Sequence, residues 1–308
     1  MEVGVCDAVV DTSFVVPHGL GELAGFTVMP GPAAVAPIDR SLPAPSPLIL
    51  ADMPVFGVMW DRLSGTQPVP PVWVIAVSGI VALLIVLDAR TWHLARNTIT
   101  MAHEGGHALA SVLTGRRLDG IRLHSDTSGV TYSRGRRTGP AVVFTSAAGY
   151  LTPSLLGAGA AWLLAAHHLI AMLWLMLALL IATFLAIRNA YGVLAVLLTT
   201  GAVLAVSWLA TAAIQAAFGY TAAWFLLLGG VRAVVELQGH RRRSRRRGQV
   251  STSDADQLGR LTGMPGGAWV AVFALVCVAA LVLGTRLLIP SLLHVPHLGG
   301  LRFARVLR

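Results

Sequence analysis

The chain of 308 residues is 55% hydrophobic and only 12% charged, with a mean hydropathy of +0.71. Soluble domains carry about 25% charged residues, so this composition excludes an ordinary water-soluble globule and makes the bilayer the expected solvent. The formal net charge of +9 rests on 23 arginines and no lysine, and whether it signals nucleic acid or membrane orientation depends on where the arginines fall. An arginine-only basic set with abundant Ala, Gly, Val and Leu also points to a GC-rich, bacterial coding sequence.

Residues 1–70 hold Pro30-Gly31-Pro32 and Pro43-Ala44-Pro45-Ser46-Pro47 without a sustained helical or strand period, as expected of a disordered tail. Its first residues include Glu2 and Asp7 and lack a basic n-region, so it does not read as a secretory signal. Met53 and Met59, shortly before the first apolar block, are candidate true starts. Cys6 and Cys277 lie at opposite ends of the chain and read as small apolar side chains outside any disulfide framework.

Apolar blocks of roughly 20 residues, the length that crosses a bilayer, then recur near 72–88, 98–114, 141–165, 169–187, 190–209, 212–235 and 268–289. The expected fold is an all-α membrane protein, a polytopic bundle of about seven transmembrane helices within a domain at 71–290, followed by a short basic tail at 291–308. Arginines concentrate at 116–137 and at 241–247. Because short cytoplasmic loops are arginine-rich, both connections and Arg188 are assigned to the cytoplasmic side of a cell membrane. With seven spans the N-terminus is then cytoplasmic and the 89–97 connection lies outside. The run His240 to Arg247 has no interleaved aromatic residues, so it is read as contacting anionic lipid headgroups, with no nucleic acid as partner. Between the arginines of the first loop, Ile121, Leu123, Val130 and Tyr132 flank Asp126-Thr127-Ser128-Gly129, which predicts a small cytoplasmic β-hairpin.

Within the second apolar block stands His103-Glu104-Gly105-Gly106-His107. On a helix, histidines four apart project from one face and can share one Zn²⁺, with the adjacent Glu104 as general base. Ionisable groups inside an apolar segment are costly and are read as functional, and Glu104 is one of only four glutamates in the chain. Gly105 and Gly106 leave room for a neighbouring helix or an extended substrate. His124 reads as a solvated strand residue, His167 and His168 as a turn on the opposite side, and His294 and His297 as an exposed tail. No Gly-x-Ser-x-Gly element or base near Cys277 supports a Ser or Cys nucleophile.

With Thr114-Gly115-Arg116 and the hairpin that follow, His103-Glu104-Gly105-Gly106-His107-Ala108 resembles the site-2 protease family of intramembrane zinc metallopeptidases, particularly its actinobacterial members. The resemblance covers about residues 59–285. It implies a metalloprotease that hydrolyses peptide bonds in or near transmembrane segments of membrane-anchored protein substrates, with the metal in the cytoplasmic half of the bilayer. Members supply their third ligand as an Asp-Gly from a later span, whereas this chain has no Asp between Asp126 and Asp254. Asp254 is the first candidate, followed by Asp256, Glu236 and Asn189. The pair after Ser253 equally suits a helix N-cap. The resemblance also implies a substrate-positioning asparagine, for which Asn189 is available. The alternative to a protease is a non-proteolytic membrane zinc-binding relative, a pseudoprotease or client-binding protein. A transporter is disfavoured because no internal two-fold repeat is visible.

Overall fold

A computed structural model describes residues 64–249 and 252–289, together with 57, 60 and 61. The expected tail before residue 57, the candidate starts at Met53 and Met59, and the basic tail at 291–308 lie outside the described residues. The described chain runs α1 (Val72–Leu87), α2 (Ala89–Leu113), β1 (Arg117–Leu123), β2 (Gly129–Arg134), α3 (Pro140–Ala165), α4 (Leu169–Ala186), α5 (Ala190–Leu209), α6 (Ala212–Arg246), α7 (Asp254–Thr262) and α8 (Gly266–Leu288).

Five helices, α3, α4, α5, α6 and α8, are each long and apolar enough to cross a membrane, and α1 with α2 makes a sixth candidate if that pair counts as one span. This is a multi-pass helical membrane protein, with five or six spans where seven were expected. The difference lies at the front of the bundle. Residues 89–97, expected as a loop because they are polar, are the first turns of α2, which begins at a 100° bend after α1. The helix starts there because the Asp88 carboxylate accepts the backbone N–H groups of Arg90 and Thr91 at 3.1 and 2.9 Å. Polarity within a helix misled the hydropathy reading, since these side chains find partners: Asn97 Nδ2 donates to the Tyr191 hydroxyl at 3.0 Å.

The bend also corrects the expected course of the chain. Gln67 donates its backbone N–H to the His167 carbonyl at 2.8 Å and accepts from the Ile170 N–H at 3.1 Å, so α1 starts beside the α3–α4 turn. That turn lies at the far end of α3 from the hairpin, and 26 residues at about 1.5 Å each separate the two ends by roughly 39 Å. Together α1 and α2 therefore lead from the end of α3 opposite the hairpin to the hairpin itself, and make one crossing if the pair counts as one span.

The hairpin itself is as expected, with β1 and β2 antiparallel and Ile121 opposite Thr131. A bulge between Leu118 and Gly120 leaves Gly120 at φ 143°, where glycine is needed both for the backbone angle and because a Cβ would strike Arg188. Segment 187–189 closes the outer edge of β1: Ile187 bridges Ile121 in parallel, and the Arg188 N–H donates to the Ile121 carbonyl at 2.9 Å.

Two packed regions set the frame. Ala82, Trp92, Leu173, Ala223 and Leu227 join α1, α2, α4 and α6 in one core. Leu237, Ala255, Leu258 and Phe273 form another, which anchors the short α7 against α6 and α8. Ser253 caps α7, accepting the Asp256 N–H, and Gly263 in the left-handed conformation ends it.

Candidate metal centre

Helix α2 presents His103 and His107 one turn apart, with Nε2 atoms 3.1 Å from each other. Asp254, the first residue of α7, places its Oδ2 3.3 Å from both. Among the described residues this is the group of His, Cys, Asp and Glu side chains able to hold a metal ion.

The donors suit zinc on two counts. Two imidazoles and one carboxylate are an open-site zinc set, and corners of a tetrahedron with bonds of about 2.0–2.1 Å lie roughly 3.3–3.4 Å apart, close to the spacing found here. The backbone also makes room for them. A Cβ on Gly149 of α3 would collide with both imidazole rings, so this glycine lets α3 approach the pair closely. Gly149→Ala is therefore expected to abolish stoichiometric zinc binding, read by elemental analysis. Gly159→Ala in the same helix, where a Cβ meets nothing within 4 Å, is expected to leave zinc content unchanged.

Neighbouring groups hold the donors in place. His107 Nδ1 donates to the Thr145 carbonyl at 2.7 Å, which turns Nε2 toward the cluster. The Tyr150 ring stands edge-on to His103 at 4.5 Å and stacks on Phe273 at 5.4 Å. Burial acts to raise the carboxyl pKa of Asp254, but the adjoining His103 and His107 imidazoles outweigh it and hold the group below the usual carboxylate range.

The other acidic candidates sit elsewhere. Asp256 forms a forked pair with Arg241 at 2.6–3.1 Å and accepts the Ser253 hydroxyl at 2.6 Å, whereas Asp254 is the member of the pair that faces the histidines. Arg241, read in the sequence as one more orienting arginine, is only 2% exposed. Glu236 binds Trp92 and Arg232 through Oε1 and Arg96 through Oε2. Asn189 lies at the hairpin: its Oδ1 accepts the Leu123 N–H at 3.1 Å and its Nδ2 donates to the Leu123 carbonyl at 2.7 Å.

Glu104 is 4% exposed and lies under β2, where Oε2 accepts the Thr131 hydroxyl at 2.6 Å. A Cβ on Gly129 would collide with the Glu104 side chain, so strand and carboxylate are in direct contact. Of the two helix glycines, Gly106 is spent on packing, since a Cβ would strike Thr152 of α3. Gly105 is open, its nearest neighbour being Thr183 Oγ1 at 3.9 Å. Thr131, Thr145, Tyr150 and Arg241 carried no signal in the sequence, because what they do depends on which element folds against α2.

Residues 76–284 match the family described as Peptidase M50B-like. Neither a curated protein nor a solved structure matches the chain.

Proposed function

The chain belongs to the Peptidase M50B-like family, as the resemblance to the site-2 proteases implied, and from that premise we propose that it is an intramembrane zinc endopeptidase. The observation that carries this reading is the meeting of His103, His107 and Asp254 within 3.1–3.3 Å, next to a buried glutamate. His103 and His107 through Nε2 and Asp254 through Oδ2 would hold zinc, leaving a fourth position open. Bound there, zinc supplies a Lewis acid that brings the pKa of a water ligand down to about 7.

The chain's own residues do the rest. Glu104 takes the proton of the attacking water on its carboxylate and passes it to the leaving amine. Thr131 fixes the position of that carboxylate by donating to Oε2. Thr145 keeps His107 in the tautomer that frees Nε2.

A helical peptide bond is shielded, so the substrate must be extended at the scissile position. The outer edge of β1 is closed by 187–189, whereas β2 has no strand partner on its outer side among the described residues. Since Ile121 and Leu123 turn their backbone groups toward 188 and 189, their partners Thr131 and Gly129 turn theirs off the free edge of β2. A substrate segment pairing there as an added strand lies beside the strand that touches Glu104.

Asn189 acts in this scheme through the hairpin, by standing in for a strand partner of Leu123. Asn189→Leu removes two hydrogen bonds, each worth about 0.5–1.5 kcal/mol, and is expected to slow cleavage several-fold with zinc content unchanged. The proposal as a whole is tested with the full chain in liposomes holding a library of single-span peptides. Zinc-dependent products mapped by mass spectrometry support it, and no cleavage of any peptide by the zinc-loaded protein contradicts it.

A further inference from the structure

A cavity of about 500 Å³ opens where the bend between α1 and α2 meets the C-terminal part of α6, and its lining includes none of the metal donors. His93 and Arg96 of α2 line it, with His240 and Arg243 of α6 opposite and Trp92 and Glu236 beneath. The base is rigid: Trp92 is buried, its Nε1 donates to Glu236 at 2.7 Å, and the Arg232 guanidinium lies over its ring at 4.5 Å.

The charge count leaves a cationic surplus. Glu236 is the acid in the lining, and its oxygens are engaged by Trp92, Arg232 and Arg96. Asp88, at the start of α2, is occupied by the N–H groups of Arg90 and Thr91. Among the described residues no carboxylate pairs with Arg243, His93 or His240.

Position narrows the choice of ligand. Arg96 also donates to the Thr127 hydroxyl in the hairpin turn at 2.8 Å, so the cavity lies on the arginine-rich side of the protein. Val235 in its wall is 67% exposed, and Leu94, beside His93, is 77% exposed, as bilayer-facing side chains are. An arginine fork matches phosphate oxygens, and an apolar, lipid-facing rim suits attached acyl chains.

We propose that this cavity binds a phosphate ester, and that its source is the headgroup of an anionic phospholipid. The bound phosphate contacts Arg96, the same side chain that tethers the hairpin turn at Thr127, so lipid occupancy steadies the strand proposed to hold the substrate.

The test is native mass spectrometry of the detergent-purified full chain with phosphatidylglycerol, phosphatidylcholine or inorganic phosphate as probes. One phosphatidylglycerol per chain is expected to be retained in preference to phosphatidylcholine. Its affinity should fall at least tenfold in the double variant His240→Gln/Arg243→Gln and stay unchanged in Arg245→Gln/Arg246→Gln, which removes the same arginine run's charge outside the cavity. Equal losses in both double variants, or equal retention of phosphatidylcholine, overturn the site. Complete displacement of the lipid by an equal concentration of inorganic phosphate overturns the lipid as its source.

Discussion

Replacing Glu104 with glutamine is expected to slow cleavage in liposomes by about 10²–10⁴-fold, the usual worth of general acid–base catalysis, without loss of zinc. Glutamine keeps the shape of the side chain, and its amide oxygen can still accept the Thr131 hydroxyl that now donates at 2.6 Å. What disappears is the ability to accept a proton. Measured together, rate and zinc stoichiometry separate the outcomes. A slow variant with full zinc has lost its base, a slow variant without zinc has lost its fold, and an unchanged rate removes Glu104 from the chemistry. A wild-type protein that holds zinc but cleaves no peptide, and is unaffected by the substitution, is the non-proteolytic relative instead. That alternative rested on the lack of an Asp in the later spans, and Asp254 reaches the two histidines without one.

The second large effect is expected at a residue that touches neither metal nor substrate. Arg241 grips Asp256 through Nε and Nη2, two residues along the chain from Asp254, and α7 is too short, at nine residues, to hold its own position. Arg241→Met takes the guanidinium away from the half-buried Asp256 carboxylate and is expected to weaken zinc binding by about 10–100-fold, as loss of a group supporting a ligand does. Arg241→Lys should recover only part of the affinity, because an ammonium cannot reproduce the fork. The double variant Arg241→Met/Asp256→Leu should recover more, since replacing a whole buried pair by apolar groups is often neutral. Chelator competition measures all three. If Arg241→Met binds zinc as tightly as the wild type, the clamp has no bearing on the ligand.

Much of this was legible along the chain, because it depends on local spacing. His103 and His107 share a face by helical period alone, and the hairpin followed from alternation around a polar turn. Asp254 could be ranked first but not separated from Asp256, since Ser253 makes both good capping residues and only the packing of Ala255 and Leu258 fixes which one points at α2. The course of the front of the bundle was misread for a related reason. Trp92, Arg96 and Asn97 look like loop residues until Glu236, Thr127 and Tyr191, distant in sequence, accept hydrogen bonds from them. Asn189, which the family resemblance marks as a candidate to position substrate, gives its amide two hydrogen bonds with Leu123, a pairing that no spacing rule encodes.

The central claim is that His103, His107 and Asp254 together hold one zinc ion, and zinc K-edge X-ray absorption on the purified full chain addresses it most directly. The expected first shell has two imidazole nitrogens at about 2.0–2.1 Å and oxygen at about 2.0–2.2 Å, one zinc per chain, with the metal lost or its shell rearranged in Asp254→Ala. A zinc shell identical in the wild type and Asp254→Ala, or zinc retained in full when His103 and His107 are both replaced by alanine, would contradict it.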